Sequence, residues 1–540
     1  METYDYIIVG AGSAGCPVAR RLSDDPGVRV LLIEAGPHAE RFWVNTPAGM
    51  AKLYFNDLLN WNYQTDPIAK LQNRQMYWPR GKLLGGSSAI NGMIYIRGHR
   101  ADFDSWRDLG NDGWGYDDLL PHFRSMEHFE RRSDQWRGQG GPLWVSDPVI
   151  KTQSSHDFIA AVHALGHPLC EDMNGADHDG VGFMQHTIKG GQRHSAYAAF
   201  VKPVRGRRNL TVLTSAQVAQ VTFDGRMATG VEVIEGGQRR AIVALREVIL
   251  SGGALNTPQV LMLSGIGPGD ELARHGIAPV HVSPGVGQNL QDHFYMHTGW
   301  RSVAGASYNA NLSGLRKYWE GFRYLMTRRS YLALGSSQVA AFVKSHPDQP
   351  YADLQISFRP MSFQYFPDGT VQVDPSPGLG VSVYQLRPHS TGQVRLNSAD
   401  PLAKMVAQPD FLTDPGDVAA MIIGIRQIRA IMATEPIRSS VVAEEVPGPG
   451  VRSDEDIYRF METTGNSAHH QAGTARMGRD AMAVVDARLR VHGVDRLRVV
   501  DASVMPHLTS GNTNAPSIMI GVKGGAMIAE DALPKREIAR

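Results

Sequence analysis

The chain opens with Tyr6-Ile7-Ile8-Val9, an apolar run without alternation, the pattern of a strand buried on both faces of a parallel sheet. Helical spacing follows through Val18, Ala19 and Leu22, and a second apolar run from Val28 to Ile33 ends at Glu34. Strand, helix and strand in this order predict a βαβ unit. Residues 40–80 break the pattern: they are irregular and aromatic (Phe42, Trp43, Tyr54, Phe55, Trp61, Tyr63, Tyr77, Trp78) and read as a covering loop. Helical pieces are predicted near 116–130 and 155–165. Short alternating runs return at Leu210–Leu213, Val218–Phe223, Gly230–Ile234 and Arg239–Val243, and Glu247–Ser251 leads into Gly252-Gly253. Leu354, Ile356 and Phe358 alternate with polar neighbours, as Val381 and Val383 do with Ser382 and Tyr384. Both segments predict half-buried strands of an antiparallel sheet, which differs in kind from the first sheet and belongs to a second domain. A last helix is predicted from Pro516 to Asp531. Residues 312–326 place Leu312, Leu315, Tyr318, Trp319, Phe322 and Leu325 at helical spacing beside Arg316, Lys317, Arg323, Arg328 and Arg329. The favoured reading is an amphipathic helix packing on the core; the other is a membrane-surface or quinone-approach helix.

Composition narrows the class. The chain has 540 residues, about twice the length at which single cores stop growing, so at least two lobes are expected. Hydrophobic residues are 42% and charged residues 20%, an ordinary globular balance. Lys plus Arg (54) nearly cancels Asp plus Glu (53), which leaves no electrostatic footprint for nucleic acid. Two cysteines, Cys16 and Cys170, are too few for a disulfide framework or a thiolate metal site. No apolar run approaches the roughly 18 residues of a membrane span, and no secretory signal pattern precedes Tyr4. A cytoplasmic enzyme is expected, with a peripheral position on the inner face of a membrane as the alternative.

Gly10-Ala11-Gly12-Ser13-Ala14-Gly15 lies between the first strand and the first helix, and Glu34 stands nineteen residues beyond Gly15. This is the context a dinucleotide fingerprint requires. Gly10 permits the turn, Gly12 lets backbone approach a pyrophosphate, and Gly15 allows close helix–strand packing. The helix N-terminus offers free N–H groups to the diphosphate. Glu34 can accept from both ribose hydroxyls, which disfavours NADP; the motif alone leaves FAD and NAD open.

Gly81-Lys82-Leu83-Leu84-Gly85-Gly86-Ser87-Ser88-Ala89-Ile90-Asn91, continuing to Tyr95 and Gly98, resembles the first signature of the glucose–methanol–choline (GMC) flavoprotein oxidoreductases. Gly253-Ala254-Leu255-Asn256-Thr257-Pro258, ending in Ser264-Gly265-Ile266-Gly267, resembles the second. Val286–His293, Asp501-Ala502-Ser503 and Asn512-Thr513-Asn514-Ala515-Pro516 are similar to further family segments, and the resemblance spans nearly the whole chain, nearest the choline-dehydrogenase-like alcohol dehydrogenases. It implies FAD, with a Rossmann-like FAD-binding domain in three segments (1–150, 205–292, 465–540) and a substrate domain in two (151–204, 293–464). The implied cofactor-binding residues are Gly10, Gly12, Ser13, Ala14, Gly15, Glu34, Ala35, Trp61, Gly85, Gly86, Ser88, Asn91, Gly92, Met93, Val218, Gly253, His469, Asp501, Ala502 and Thr513. Members that attach FAD covalently do so through a histidine where this chain has Ile90, so dissociable FAD is expected.

Alcohol oxidation needs a base for the hydroxyl proton, and imidazole, with an ordinary pKa of about 6.5, suits it. Among twenty histidines, the family position of the base maps to His470 in Ser467-Ala468-His469-His470-Gln471-Ala472-Gly473-Thr474, with His469 a flavin-side neighbour. Gln471 stands where the family has Pro. The second catalytic position is assigned to Asn514, which also reads as a helix cap before Ala515-Pro516. His293, His297, His469 and His470 lack metal-ligand spacing, so no metal is expected, and no G-x-S-x-G elbow supports a serine hydrolase. The implied activity is oxidation of a primary alcohol to an aldehyde. The acceptor would be a quinone or cytochrome, or oxygen in a same-family oxidase; a flavin-containing lyase is a remote alternative. The aromatic 42–78 segment suggests an apolar entrance, and choline is not favoured.

Overall fold

The computed structural model describes residues 2–365 and 371–533. Residues 534–540, which close the third FAD-binding segment expected from sequence, lie outside the described residues.

The first βαβ unit forms as its pattern dictates. Glu2–Val9 and Val30–Ile33 are parallel neighbours, with Ile7 opposite Leu31, and the helix Gly15–Leu22 joins them. The sheet they belong to runs in the order Leu210–Leu213, Val30–Ile33, Glu2–Val9, Gln238–Leu250, Met227–Glu235, Ala216–Asp224. Its longest strand does two jobs. The first half of Gln238–Leu250 pairs antiparallel with Met227–Glu235 (Val243 opposite Gly230), while its second half is flanked in parallel by Glu2–Val9 and by Leu497–Val499. Three distant segments therefore end side by side at one sheet edge, and each hands its chain on towards the same cavity.

Gly15–Leu22 packs against the last long helix, Asn514–Asp531. The approach is close because Gly521 lies where a Cβ would meet the Ala14 carbonyl oxygen at 2.3 Å. This brings the N-termini of both helices onto one cavity, and neither is capped by a side chain.

The second sheet is antiparallel, in the order Val441–Val446, Phe294–Ser302, Gly378–Gln385, Leu354–Arg359, Val339–Val343, Gly180–Phe183. The alternation seen in the sequence sorts its two faces, but the strands are not half-buried as expected. Leu354–Phe358 and Gly378–Gln385 are buried at every position, because the polar face is covered by the cavity and the first domain's segments. Leu354, Ile356, Phe358, Val381 and Val383 are buried, and the helix Pro415–Met432 lies over this sheet so closely that a Cβ on Gly424 would reach Val383 at 2.8 Å. Gln355, Ser357, Arg359, Ser382 and Tyr384 line the cavity between the sheets. Asn466–Ser467, at the start of the expected third FAD-binding segment, is a short strand of this second sheet, with Ser467 opposite Phe294.

One expectation is reversed. The helix Arg316–Thr327 buries only Glu320 and Tyr324 and turns its apolar stripe outward. Its buried face is tied by polar contacts: Glu320 accepts from Arg323 (3.3 Å) and from the Tyr331 N–H (3.2 Å), and the Tyr324 hydroxyl donates to the Gly191 carbonyl (3.0 Å).

The tightest joint predicts a sharp sensitivity. A Cβ on Gly15 would lie 1.9 Å from the Gly10 carbonyl oxygen and 3.2 Å from Ser251 Cβ. Gly15→Ala is expected to lower stability by roughly 1–3 kcal/mol and to displace the first helix from the sheet. Thermal unfolding and the flavin-to-protein absorbance ratio measure both effects.

Candidate active site

The cavity between the sheets has a volume of about 680 Å3, within the usual range for a cofactor site. At one end, Glu34 closes the second strand. Its carboxylate accepts from the Ala11 N–H (3.2 Å) and the Gly36 N–H (2.9 Å), and burial pushes its pKa up to about 7. Ala35, Val218 and Trp61 line this region, with Lys82 Nζ 4.6 Å from the Trp61 ring centre. In the middle, Gly10, Gly12, Ser13 and Ala14 line the wall beneath the uncapped helix end. Gly86 faces them, so near that a Cβ on it would reach Gly12 Cα at 2.8 Å. Two uncapped helix N-termini and glycine-walled backbone suit a diphosphate, and a carboxylate at the far end suits a ribose. The donor set thus fits a dinucleotide, with Gly253, Asp501, Ala502, Thr513, Asn91, Gly92, Met93 and Ile90 along the rest of the wall. Asp501 is engaged inside the fold, accepting from the Gly253 N–H (2.8 Å) and the Thr257 hydroxyl (2.6 Å).

Two expected contacts are structural instead. The Ser88 hydroxyl donates to the Gly85 carbonyl (2.6 Å) and accepts from the Ala196 N–H (2.9 Å), so it is consumed inside the loop; Ser87, not Ser88, lines the cavity. Gly85 itself does not line it, but takes a φ of +94° and donates its N–H to the Ala11 carbonyl (2.7 Å), which locks the two glycine loops together.

At the other end stands His470, and hydrogen bonding determines its tautomer. His293 Nε2 is 3.0 Å from the Leu386 carbonyl, which can only accept, so that nitrogen carries the proton. His293 Nδ1 is then a lone pair, and it lies 2.8 Å from His470 Nδ1, which must be the donor. His470 Nε2 is left with its lone pair facing the Asn512 amide at 2.9 Å. Burial, then the charges of His293, His469 and Arg80, hold the His470 pKa well below the usual histidine value. This favours the neutral ring, with an unprotonated nitrogen facing the cavity.

Asn514 does not stand beside His470. As the first residue of the last helix, it turns its amide oxygen to accept from the Ser13 hydroxyl (2.8 Å), joining the two helix ends. Asn512, the last loop residue but one before that helix, holds the position, and its Oδ1 is buried without a partner among the described residues. The sequence signal was present in Asn512-Thr513-Asn514, but choosing between two asparagines two apart depends on where the helix begins. His293 also escaped assignment, because only the fold brings it to His470.

The His470 loop is held by Asp292, which accepts from the His470 N–H (2.8 Å), from Gln471 Nε2 (2.7 Å) and from the Ser467 hydroxyl. Burial raises the Asp292 pKa to about 6. Gln471, which stands where the resembling family has Pro, thus ties down this loop by hydrogen bonding. His469 has a φ of +64°, lines the cavity, and meets Tyr54 through its Nε2. Tyr54, Phe55 and Tyr77 form an aromatic wall there, with Phe55 and Tyr77 stacked at 5.1 Å. Opposite is the polar face of the second sheet, where the Tyr384 hydroxyl donates to Gln355 (2.5 Å) and Gln355 donates to Ser357 (3.1 Å). The only carboxylates among the described lining residues are Glu34 and Asp501, both on the dinucleotide side.

A parallel sheet, two helix N-termini and a buried imidazole around a dinucleotide-sized cavity suit an enzyme that uses a nucleotide cofactor. Comparison places it further: the chain belongs to the GMC oxidoreductases, matching that family over residues 4–295 and 388–521, and is thus an FAD-dependent enzyme acting on CH–OH donors. It is 41% identical to an alcohol dehydrogenase [acceptor] of Pseudomonas putida (97% of this chain, 95% of the relative). It is 40% identical to the mitochondrial choline dehydrogenase of Homo sapiens (98% and 90%). The solved structure of an Aspergillus oryzae formate oxidase variant, made to probe modification of its FAD, superposes with a TM-score of 0.92 at 30% identity, covering 98% of this chain and 99% of that one.

The buried histidines set a pH dependence of stability. Burial pushes His186, His194 and His293 down to about 4 and His297 and His469 to about 3. The unfolded chain binds these protons from about pH 6.5 downward while the folded chain does not, so stability falls with falling pH. Glu34 and Asp292, raised by burial, act the opposite way but are outnumbered. The melting temperature is expected to drop steadily from pH 6.5 to 4; a flat profile in calorimetry would contradict neutral buried rings.

Proposed function

We propose that this enzyme oxidises a primary alcohol to an aldehyde, with His470 as base and Asn512 as the group that holds the substrate oxygen. The observation that carries the reading is the unprotonated His470 Nε2 beside the Asn512 amide at the cavity wall. An alcohol placed there donates its hydroxyl proton to Nε2 and accepts from the amide. Bound FAD supplies the two-electron acceptor for the α-hydrogen, which leaves with its electron pair as the carbonyl forms. His293 is a positioning residue: it keeps the proton on His470 Nδ1 and leaves Nε2 unprotonated, facing the Asn512 amide. FAD is held without a covalent bond, since Ile90, at the cavity wall, offers no nucleophile.

The substrate is a neutral or anionic alcohol rather than a quaternary ammonium such as choline. Arg359 adds positive charge to the polar sheet face, and no carboxylate among the described lining residues lies on that side. The acceptor that restores the oxidised cofactor is a quinone or a cytochrome, with oxygen as the second reading.

Anaerobic addition of alkanols, aryl alcohols, polyether alcohols and choline to the yellow protein should bleach the flavin band with a member of the first three groups and not with choline. Readmitted air will restore the colour quickly only if oxygen is the acceptor, and denaturation should release the flavin. Bleaching by no alcohol would overturn the reading in favour of a lyase.

The two asparagines should separate in the same assay. His470→Ala should slow bleaching by about 10²–10⁴-fold and Asn512→Ala by roughly ten- to a hundredfold. Asn514→Ala should mainly weaken flavin retention. An Asn514→Ala defect in bleaching larger than that of Asn512→Ala would reverse the assignment.

A further inference from the structure

The outward face of the helix Arg316–Thr327 carries a dense run of exposed large apolar side chains. Leu315 (85% exposed), Tyr318 (68%), Trp319 (63%), Phe322 (53%), Leu325 (57%) and Met326 (69%) all face solvent. At 100° per residue these six positions occupy a stripe about 120° wide, opposite the buried Glu320 and Tyr324. Soluble surfaces scatter large apolar residues singly, and a contiguous patch of this kind marks an interaction site.

Its rim is cationic. Arg316, Lys317 and Arg329 are exposed at its ends, and Arg323 and Arg328 are partly so. The helix's single carboxylate, Glu320, is buried and spent on Arg323 and the Tyr331 N–H. Phe42 (48% exposed) packs edge-on against Tyr324 at 6.4 Å and against Trp43 (39% exposed) at 5.0 Å, and Lys52 lies over the Trp43 ring at 4.3 Å. The apolar stripe and its cationic rim thus share the outward face of this helix, while Phe42 adjoins its inner face at Tyr324.

We infer that this face docks the enzyme on the surface of an anionic phospholipid bilayer. Trp and Tyr rings suit the headgroup level, the aliphatic side chains reach the acyl boundary, and the Arg and Lys rim neutralises lipid phosphates. Among the described residues no helix is long and apolar enough to cross a membrane, so the contact is peripheral. A second copy of the chain is a poorer occupant: a two-fold contact through this stripe would set the same uncompensated cations against one another. The segment that begins at Phe42 continues through Met50, Ala51, Tyr54 and Phe55, which line the cavity. The docking itself stands apart from the chemistry proposed above and is tested without turnover.

The full-length holoenzyme is sedimented with sucrose-loaded vesicles of phosphatidylcholine alone or mixed with phosphatidylglycerol, while the Trp emission is recorded. Binding to the mixed vesicles with a blue shift is expected, lost at high salt and at least tenfold weaker on phosphatidylcholine alone. Trp319→Glu with Phe322→Glu should abolish it, and Arg316→Gln with Lys317→Gln should weaken it by roughly thirtyfold. Both substitutions are on solvent-facing positions, and unchanged melting and flavin content confirm that the variants are folded. No binding to either vesicle, or binding that both variants retain, overturns the proposal. So does a dimer in sedimentation velocity that Trp319→Glu with Phe322→Glu dissociates, which would give the face to a second copy.

Discussion

Three stretches of backbone meet at the head of the first helix with no space for a side chain between them. A Cβ on Gly10 would lie 2.4 Å from the Ser251 carbonyl oxygen, and one on Gly15 would collide with Gly10 itself. Gly10 also takes a φ of +102°, a conformation that glycine adopts without penalty. Because the junction is made of backbone, it is rigid, and it brings the loop 10–15, the turn at Ser251-Gly252-Gly253 and, through the neighbouring strand Leu497–Val499, the segment at Asp501 to one place. The cofactor-side wall of the cavity is placed relative to that joint. The last helix is drawn in by its own glycines until Asn514 accepts from Ser13, and the loop before it then presents Asn512 to the cavity.

From the opposite side the site is completed by a chain of hydrogen bonds whose direction is forced at its far end. The Leu386 carbonyl accepts and cannot donate, and that constraint passes through two imidazoles to leave a lone pair on His470 Nε2. Burial keeps both rings neutral, so the direction is not blurred by protonation near pH 7. The two sheets thus contribute different things: the parallel one offers backbone dipoles and glycine walls suited to a cofactor, while the antiparallel one and its attached loop position the His293–His470 pair.

The helix Arg316–Thr327 shows how a correct pattern can carry the wrong orientation. Its periodicity identifies an amphipathic helix, yet the protein anchors it by Glu320 and Tyr324 and leaves the apolar stripe outside. Hydrophobic periodicity reports that a helix has two faces; which face meets the core depends on what the neighbouring surface offers. Here that surface offers a backbone carbonyl at Gly191, a backbone N–H at Tyr331 and the ring of Phe42.

Much of the molecule was legible in the chain itself. Local physics determined the buried parallel strands, the glycine turn with Glu34, the alternating strands that separate Ile356 and Val383 from Ser357 and Ser382, and the family signatures, because each depends on residues close together in sequence. The pairing of His293 with His470, the choice of Asn512 over Asn514 beside that ring, the loss of the Ser88 hydroxyl to the Ala196 N–H and the outward stripe of Arg316–Thr327 were decided only by tertiary structure. Each is a contact between residues far apart in the chain or a matter of where one helix begins, and a hydrogen-bonding direction such as that from His293 to Leu386 has no local trace. Composition and spacing specify which groups are available, but the closing of the two sheets on each other specifies which of them meet.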